Sequence, residues 1–185
     1  MGANSSNALF YLVSTLFDVY MWVLILRLIL QAVRADFYNP ISQLIWQITQ
    51  PVLRPFQTVL PKWRSLDSAA LILLLVVALL YVHIVGVILG IPIGPFASVQ
   101  FALLKLIVLV LNLYTFALFV QAVLSWVGPG VNNPAGNLLW VMNEPLLKPV
   151  RRVIPPMSGL DLSPLAVILA LQFLNLLIPL PSIFR

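Results

Sequence analysis

The sequence predicts an all-α membrane protein: four transmembrane helices in two parallel repeats, each with an amphipathic interfacial segment on the cytoplasmic side. Three observations predict it. Of the 185 residues, 62% are apolar and only 8% are charged, against roughly 45–50% and 25% in an ordinary soluble domain. Four apolar stretches are long enough to cross a bilayer. Polar and proline residues recur in register at an offset of 94.

The first span covers 8–33, the second 69–89, the third 96–127 and the fourth 165–183. A helix crosses the hydrocarbon core with about 20 residues. The first and third spans exceed that, so they should tilt, kink or project into water. Pro179 and Pro181 should end the fourth helix near Ile178. The first span lacks a basic leading segment and a small-residue cleavage pattern, so it reads as a retained span and not as a signal peptide.

Charge placement orients the chain. Arg34, Arg54, Lys62 and Arg64 lie between the first two spans, and Lys148, Arg151 and Arg152 between the last two. Neither the stretch before the first span nor the connection 90–95 carries a charge. The positive-inside rule makes the two basic connections cytoplasmic. With four spans, both termini are then on the far side, the periplasmic one in a bacterial cell, although Arg185 votes the other way.

The repeat divides the chain into 1–94 and 95–185. Asn39 and Pro40 match Asn133 and Pro134, and Trp46 matches Trp140. Pro51, Arg54, Pro55, Pro61, Leu66 and Asp67 match Pro145, Lys148, Pro149, Pro155, Leu160 and Asp161. An even number of spans per half makes such repeats parallel. The interfacial segments are 39–60 and 133–155. In the first, Ile41, Leu44, Ile45, Ile48, Val52, Phe56 and Val59 form an apolar helical stripe, with Ser42, Gln43, Gln47 and Gln50 largely opposite. Pro51 and Pro55 should break or kink it. Such a segment lies in the plane of the membrane surface, where Lys148, Arg151 and Arg152 face anionic headgroups or simply set topology. Asn39 and Asn133 precede proline and should start fresh helices. Asp67 and Asp161 stand where an N-cap is needed, and Asp161 is also within reach of Arg151 or Arg152.

Residues 143–156, from Asn143-Glu144-Pro145 through Arg151-Arg152 to Pro155-Pro156, followed by Gly159-Leu160-Asp161-Leu162-Ser163-Pro164, resemble the signature of the YggT (YlmG) family of bacterial and plastid membrane proteins. Gln121-Ala122-Val123-Leu124-Ser125-Trp126 and the first copy, from Asp36-Phe37-Tyr38-Asn39-Pro40 to Leu66-Asp67-Ser68, resemble it too. The likeness covers almost the whole chain, in the two-copy form found in proteobacteria. It implies an integral inner-membrane protein tied to osmotic-stress tolerance, to cell or plastid division and nucleoid distribution, or to cytochrome assembly. It implies no enzymatic activity. The first copy departs from the motif: Gln57-Thr58 stands where the second has Arg151-Arg152, and Lys62-Trp63-Arg64 where it has Pro156-Met157-Ser158.

Inside the spans the ionisable residues are Asp18, Arg27, His83 and Lys105. Arg27 is near a span end and can snorkel. Asp18, His83 and Lys105 fall in the outer half of the bilayer by helical rise, and Asn112 takes the place of Asp18 in the second copy. Together they suggest a polar cluster, serving either as an ion pair that fixes helix order or as a proton or ion path. Gly86 and Gly90 have the spacing of a close helix contact.

Function classes narrow accordingly. There is no cysteine and a single histidine, so thiol chemistry and His-rich metal sites are excluded. No hydrolase, P-loop or paired-carboxylate pattern is present, and no nucleic-acid motif accompanies the few basic residues. The expectation is a non-enzyme without cofactor or metal. Its partners are anionic lipid headgroups and other membrane proteins or itself, with no direct nucleic-acid contact. It acts as an assembly or organising factor. The alternative is an oligomeric ion- or proton-handling protein involved in osmotic balance.

Overall fold

A computed structural model describes residues 3–60, 67–127, 133–155 and 161–185. Among them are six α-helices and no strand: α1 (Ala3–Ala32), α2 (Pro40–Val59), α3 (Ser68–Leu89), α4 (Pro95–Val127), α5 (Pro134–Val153) and α6 (Ser163–Leu177), then a 3-10 turn, Ser182–Phe184. Pro61, Lys62, Trp63, Arg64, Leu66, Leu160 and residues 156–159, all used in the sequence reading, lie outside the described residues.

Three helices, α1, α3 and α4, are long and apolar enough to cross a membrane. The fourth expected span, 165–183, is helical only to Leu177. The 15 residues of α6 rise about 22 Å, short of the roughly 30 Å hydrocarbon core. Pro179 and Pro181 stop the helix, and Ile178 turns to an extended conformation (φ −73°, ψ 122°).

The main helix pairs are α1 with α3 and α4 with α6, joined through α3 against α4. Met21, Leu24, Ile25, Leu73, Val77, Val85 and Leu109 fill the core between them. Ala69, Ala70, Ala78 and Ala102 are buried there as well, and small residues let backbones approach where lipid removes the hydrophobic drive for association. The outward faces carry Leu12, Leu16, Val87, Phe96, Phe119 and Leu176, all exposed. An apolar surface of this extent suits acyl chains and not water.

The two amphipathic helices brace the bundle at one end. Helix α2 packs on α1 and α3, α5 packs on α4 and α6, and the two touch each other. Asn39 (φ −63°, ψ 128°) and Asn133 (φ −102°, ψ 119°) each cap their helix, accepting from Ile41 N and Ala135 N at 2.9 and 3.0 Å. Pro40 and Pro134 follow as first helical residues, where the missing N–H has no intrahelical use. Asn39 Nδ2 also donates to Pro134 O at 2.7 Å, and Leu30, Ile45 and Leu138 pack beside that bond.

Two expectations about these segments change. Of the break or kink expected at the prolines, the break does not occur: α2 and α5 run on through Pro51, Pro55, Pro145 and Pro149. All four prolines are exposed, so their rings are kept out of the packed side of each helix. The apolar stripe also does not pack as a whole: Ile41, Ile45 and Phe56 pack inward beside Thr49 and Leu53, while Leu44, Ile48 and Val52 are exposed. Packing turns Gln50 inward, away from the polar face on which it was placed.

The glycine spacing serves a turn, not a helix dimer. Gly90 ends α3 in the left-handed conformation (φ +68°). A Cβ at Gly86 would lie 2.9 Å from Ile93 Cδ1 and 3.1 Å from Ile91 O, so the returning chain occupies the space a partner helix would need.

Candidate functional site: two polar nets and a buried ion pair

At the braced end, each half of the chain assembles a polar net, largely buried in the first half and partly exposed in the second. In the first, Arg27 Nη1 donates to Thr49 Oγ1 at 2.6 Å and Nη2 to Gln50 Oε1 at 3.0 Å. Nη2 also meets Asp67 Oδ2 at 3.4 Å. Gln50 Nε2 donates to Gln57 Oε1 at 3.0 Å, and Gln57 Nε2 to Asp67 Oδ2 at 2.6 Å. Asp67 in turn caps α3, accepting from Ala70 N at 3.4 Å. Arg27 therefore does not snorkel. Its charge is satisfied within the protein, tying α1 to α2 and to the start of α3.

In the second net, Asn143 Nδ2 donates to Gln121 Oε1 at 2.7 Å. Arg151 donates from Nη1 to Glu144 Oε2 at 2.8 Å and from Nε to Asp161 Oδ2 at 2.9 Å. Asp161 Oδ1 accepts from Ser163 N at 2.9 Å from one position outside the cap, which is Leu162. Arg151 is thus a bridge between α5 and the start of α6. Arg152, Lys148 and Arg54 point outward.

The two nets use the same positions. Arg27, Thr49, Gln50, Gln57 and Asp67 correspond, 94 residues on, to Gln121, Asn143, Glu144, Arg151 and Asp161. The arginine changes sides: it is on the long helix in the first half and on the interfacial helix in the second, with glutamine at the other position each time. Sequence reading missed Thr49, Gln50, Gln57, Gln121, Asn143 and Glu144 as members. The signal that could have found them was the reciprocal Arg27/Gln121 and Gln57/Arg151 exchange at that offset.

The Asp161 carboxyl is held below the usual carboxylate range. Partial burial pushes it up, but hydrogen bonds from Ser163 and Arg151, with the Arg151 charge, together outweigh that. A lowered carboxylate stabilises the fold fully above the unfolded-chain value of about 3.9 and ceases to do so as pH falls through the lower folded value. Below about pH 4 the α5–α6 contact is therefore expected to loosen, read as amide exchange in α5 of the protein in detergent. Asp161→Asn should remove that acid step.

At the other end of the bundle, Lys105 Nζ sits between Asp18 Oδ1 and Oδ2 at 2.8 and 2.9 Å. The Lys105 side chain is 1% exposed and that of Asp18 30%. The ammonium also lies 4.9 Å from the Tyr81 ring centre and 3.4 Å from the Arg185 backbone oxygen. Phe184 packs on the same tyrosine, 5.2 Å from Phe101 and 6.3 Å from Tyr81 between ring centres. Arg185 Nη2 donates to Asn175 O and Ile178 O at 2.8 and 3.0 Å, covering the negative end of α6. Asn112 pairs with Asn175 at 2.6 Å. The expected four-residue cluster is thus not one site. Asp18 and Lys105 meet, Asn112 bonds elsewhere, and His83 stands apart on the exposed face of α3 with Nδ1 2.9 Å from Leu79 O. Helix α3 turns Tyr81, Val82 and Val85 into the core, which leaves His83 on the opposite, outward face.

Such features define a class: an all-helical protein whose long helices suit a bilayer and whose charged residues within them, Asp18, Arg27 and Lys105, are held in internal ion pairs. The chain belongs to the CCB3/YggT family, matching it over residues 6–88 and again over 100–181. An uncharacterized protein of Pseudomonas aeruginosa is 37% identical, over 94% of this chain and 89% of its own. One encoded in the proC 3′ region of Vibrio alginolyticus is 40% identical, over 92% and 93%. The uncharacterized protein YggT of Escherichia coli K12 is 36% identical, over 92% and 88%. No solved structure matches the chain.

Proposed function

We propose that the protein is a non-enzymatic, multi-pass inner-membrane organising factor of four spans in two parallel repeats, residues 1–94 and 95–185. It docks membrane proteins on its cytoplasmic face, in osmotic-stress tolerance or in cell-envelope and division processes. The family membership and the two matched segments support the repeat. The pairing of α6 with α4, like that of α3 with α1, supports counting α6 as the fourth span, with local thinning of the bilayer accommodating its length. Both basic connections then lie inside and both termini outside.

One observation carries the functional reading. The braced end presents an outward surface that the fold itself does not use. Leu44, Trp46, Ile48 and Val52 of α2 and Trp140 of α5 are 42–54% exposed. Arg54, Lys148 and Arg152 stand exposed beside them, with no ion pair among the described residues. The in-span charges, by contrast, are paired, with Lys105 buried, which disfavours an ion path.

The test is in-cell crosslinking with the Arg54→Ala/Lys148→Ala/Arg152→Ala variant beside wild type. The variant should reach wild-type abundance in the membrane, lose its heterologous crosslinks by about tenfold, and fail to support growth after osmotic challenge. An unchanged crosslink pattern and normal growth overturns the reading. Failure of Asp18→Asn in the same challenge, with the triple variant intact, would transfer the case to ion handling.

A further inference from the structure

Beside the first polar net, α1, α2 and the loop between them enclose a cleft of about 520 Å³, lined by Arg27, Gln31, Arg34, Phe37, Ser42 and Trp46 among others. We infer that this cleft is a binding site for the headgroup of an anionic phospholipid, with Arg34 as its principal ligand.

Three independent observations point there. First, Arg34 is the one non-glycine residue with positive φ (+54°) among the described residues. It ends α1 in a Schellman turn: Ala35 N donates to Leu30 O at 2.9 Å and Arg34 N to Gln31 O at 3.2 Å. A glycine fits such a position without strain. At the matching place, 94 residues on, the sequence has Gly128, outside the described residues. A bulky cation retained where glycine is easier is the kind of backbone strain found at ligand sites.

Second, Ser42 Oγ is buried with no hydrogen-bond partner, and Ser42 lines the cleft. A buried hydroxyl left unsatisfied is uncommon in a finished core, and a headgroup oxygen supplies what it lacks. Third, the charges do not balance. Arg27 and Arg34 face the cleft with Asp67 as the one carboxylate among its lining residues. Arg27 spends its charge on Asp67, at 3.4 Å, while Arg34 makes no ion pair among the described residues, so an anion is the complement.

The source is a lipid and not a free anion because of the walls. Phe37 and Trp46 are 54% and 43% exposed and pack edge to face with centres 6.1 Å apart. Aromatic residues placed this way sit at headgroup level. The inference rests on α2 lying at the membrane boundary, as proposed above, but not on its docking a protein.

Native mass spectrometry of the full chain in detergent, titrated with phosphatidylglycerol, phosphatidylcholine or inorganic phosphate, tests it. Phosphatidylglycerol should be retained in preference to phosphatidylcholine. Arg34→Gly should weaken it about tenfold, the scale of one charge-assisted contact. Because glycine suits the left-handed position, that variant keeps or raises its thermal midpoint, which separates lost binding from lost fold. Arg54→Ala, outside the cleft, should change retention by about twofold or less. Wild-type retention by Arg34→Gly, equal losses in both variants, no preference over phosphatidylcholine, or displacement by millimolar inorganic phosphate would each overturn the assignment. Partner crosslinking enters none of these readouts, so failure here and failure of the docking surface are separate results.

Discussion

Asp18→Leu is expected to lower the stability of the protein in detergent by about 3–5 kcal/mol, the scale seen when one partner of a buried ion pair is removed. The asymmetry of burial decides which partner matters. Lys105 is 1% exposed, so without Asp18 its ammonium keeps only the Tyr81 ring and the Arg185 backbone oxygen, neither of which neutralises it. Adding Lys105→Met should return most of the loss, because two apolar residues of similar size replace a buried pair at nearly no net change. Thermal unfolding of the two variants beside wild type measures this. If the double variant is no more stable than the single, Lys105 is not held by the charge of Asp18 and the geometry of the outer end is misread.

The second large effect concerns the arginine exchange between the two nets. Arg27→Gln should destabilise by about 3 kcal/mol, because the Asp67 carboxylate is left buried without its cation. Its side chain is 6% exposed. The second half shows where a replacement cation fits: Arg151, at the position matching Gln57, reaches both Glu144 and Asp161. Arg27→Gln/Gln57→Arg should therefore recover at least about half of the loss. The mirror pair, Gln121→Arg/Arg151→Gln, should likewise exceed Arg151→Gln alone. Strict additivity in both halves would mean that the correspondence is coincidental. Recovery in both would show that each net needs one arginine and accepts it from either helix.

How much of this was legible beforehand varies by element. Helices α1, α3 and α4 were readable within a few residues because an apolar run of that length has one low-energy state in lipid. The starts of α2 and α5 were readable because Asn-Pro both caps a helix and stops what precedes it. The stop of α6 was readable from Pro179 and Pro181. The inner face of α2 was not: the hydrophobic pattern marks what avoids water, and beside a membrane lipid and protein compete for the same side chains. Leu44 and Ile48 went outward, and Thr49 and Gln50 went in.

The sequence by itself thus determined the three long apolar helices, the two amphipathic helices between the long ones and the family, since each depends on composition, local dihedral preference or residue order. The tertiary structure alone decided the partners. Arg27 left the snorkelling position for Asp67 across 40 residues of chain, Arg151 took Glu144 and Asp161 as partners, His83 left the cluster and Arg34 took a left-handed turn. Those outcomes follow from one physical fact: a charge or hydrogen-bonding group away from water must find its complement, and which complement is within 3 Å depends on how helices far apart in sequence come to lie side by side.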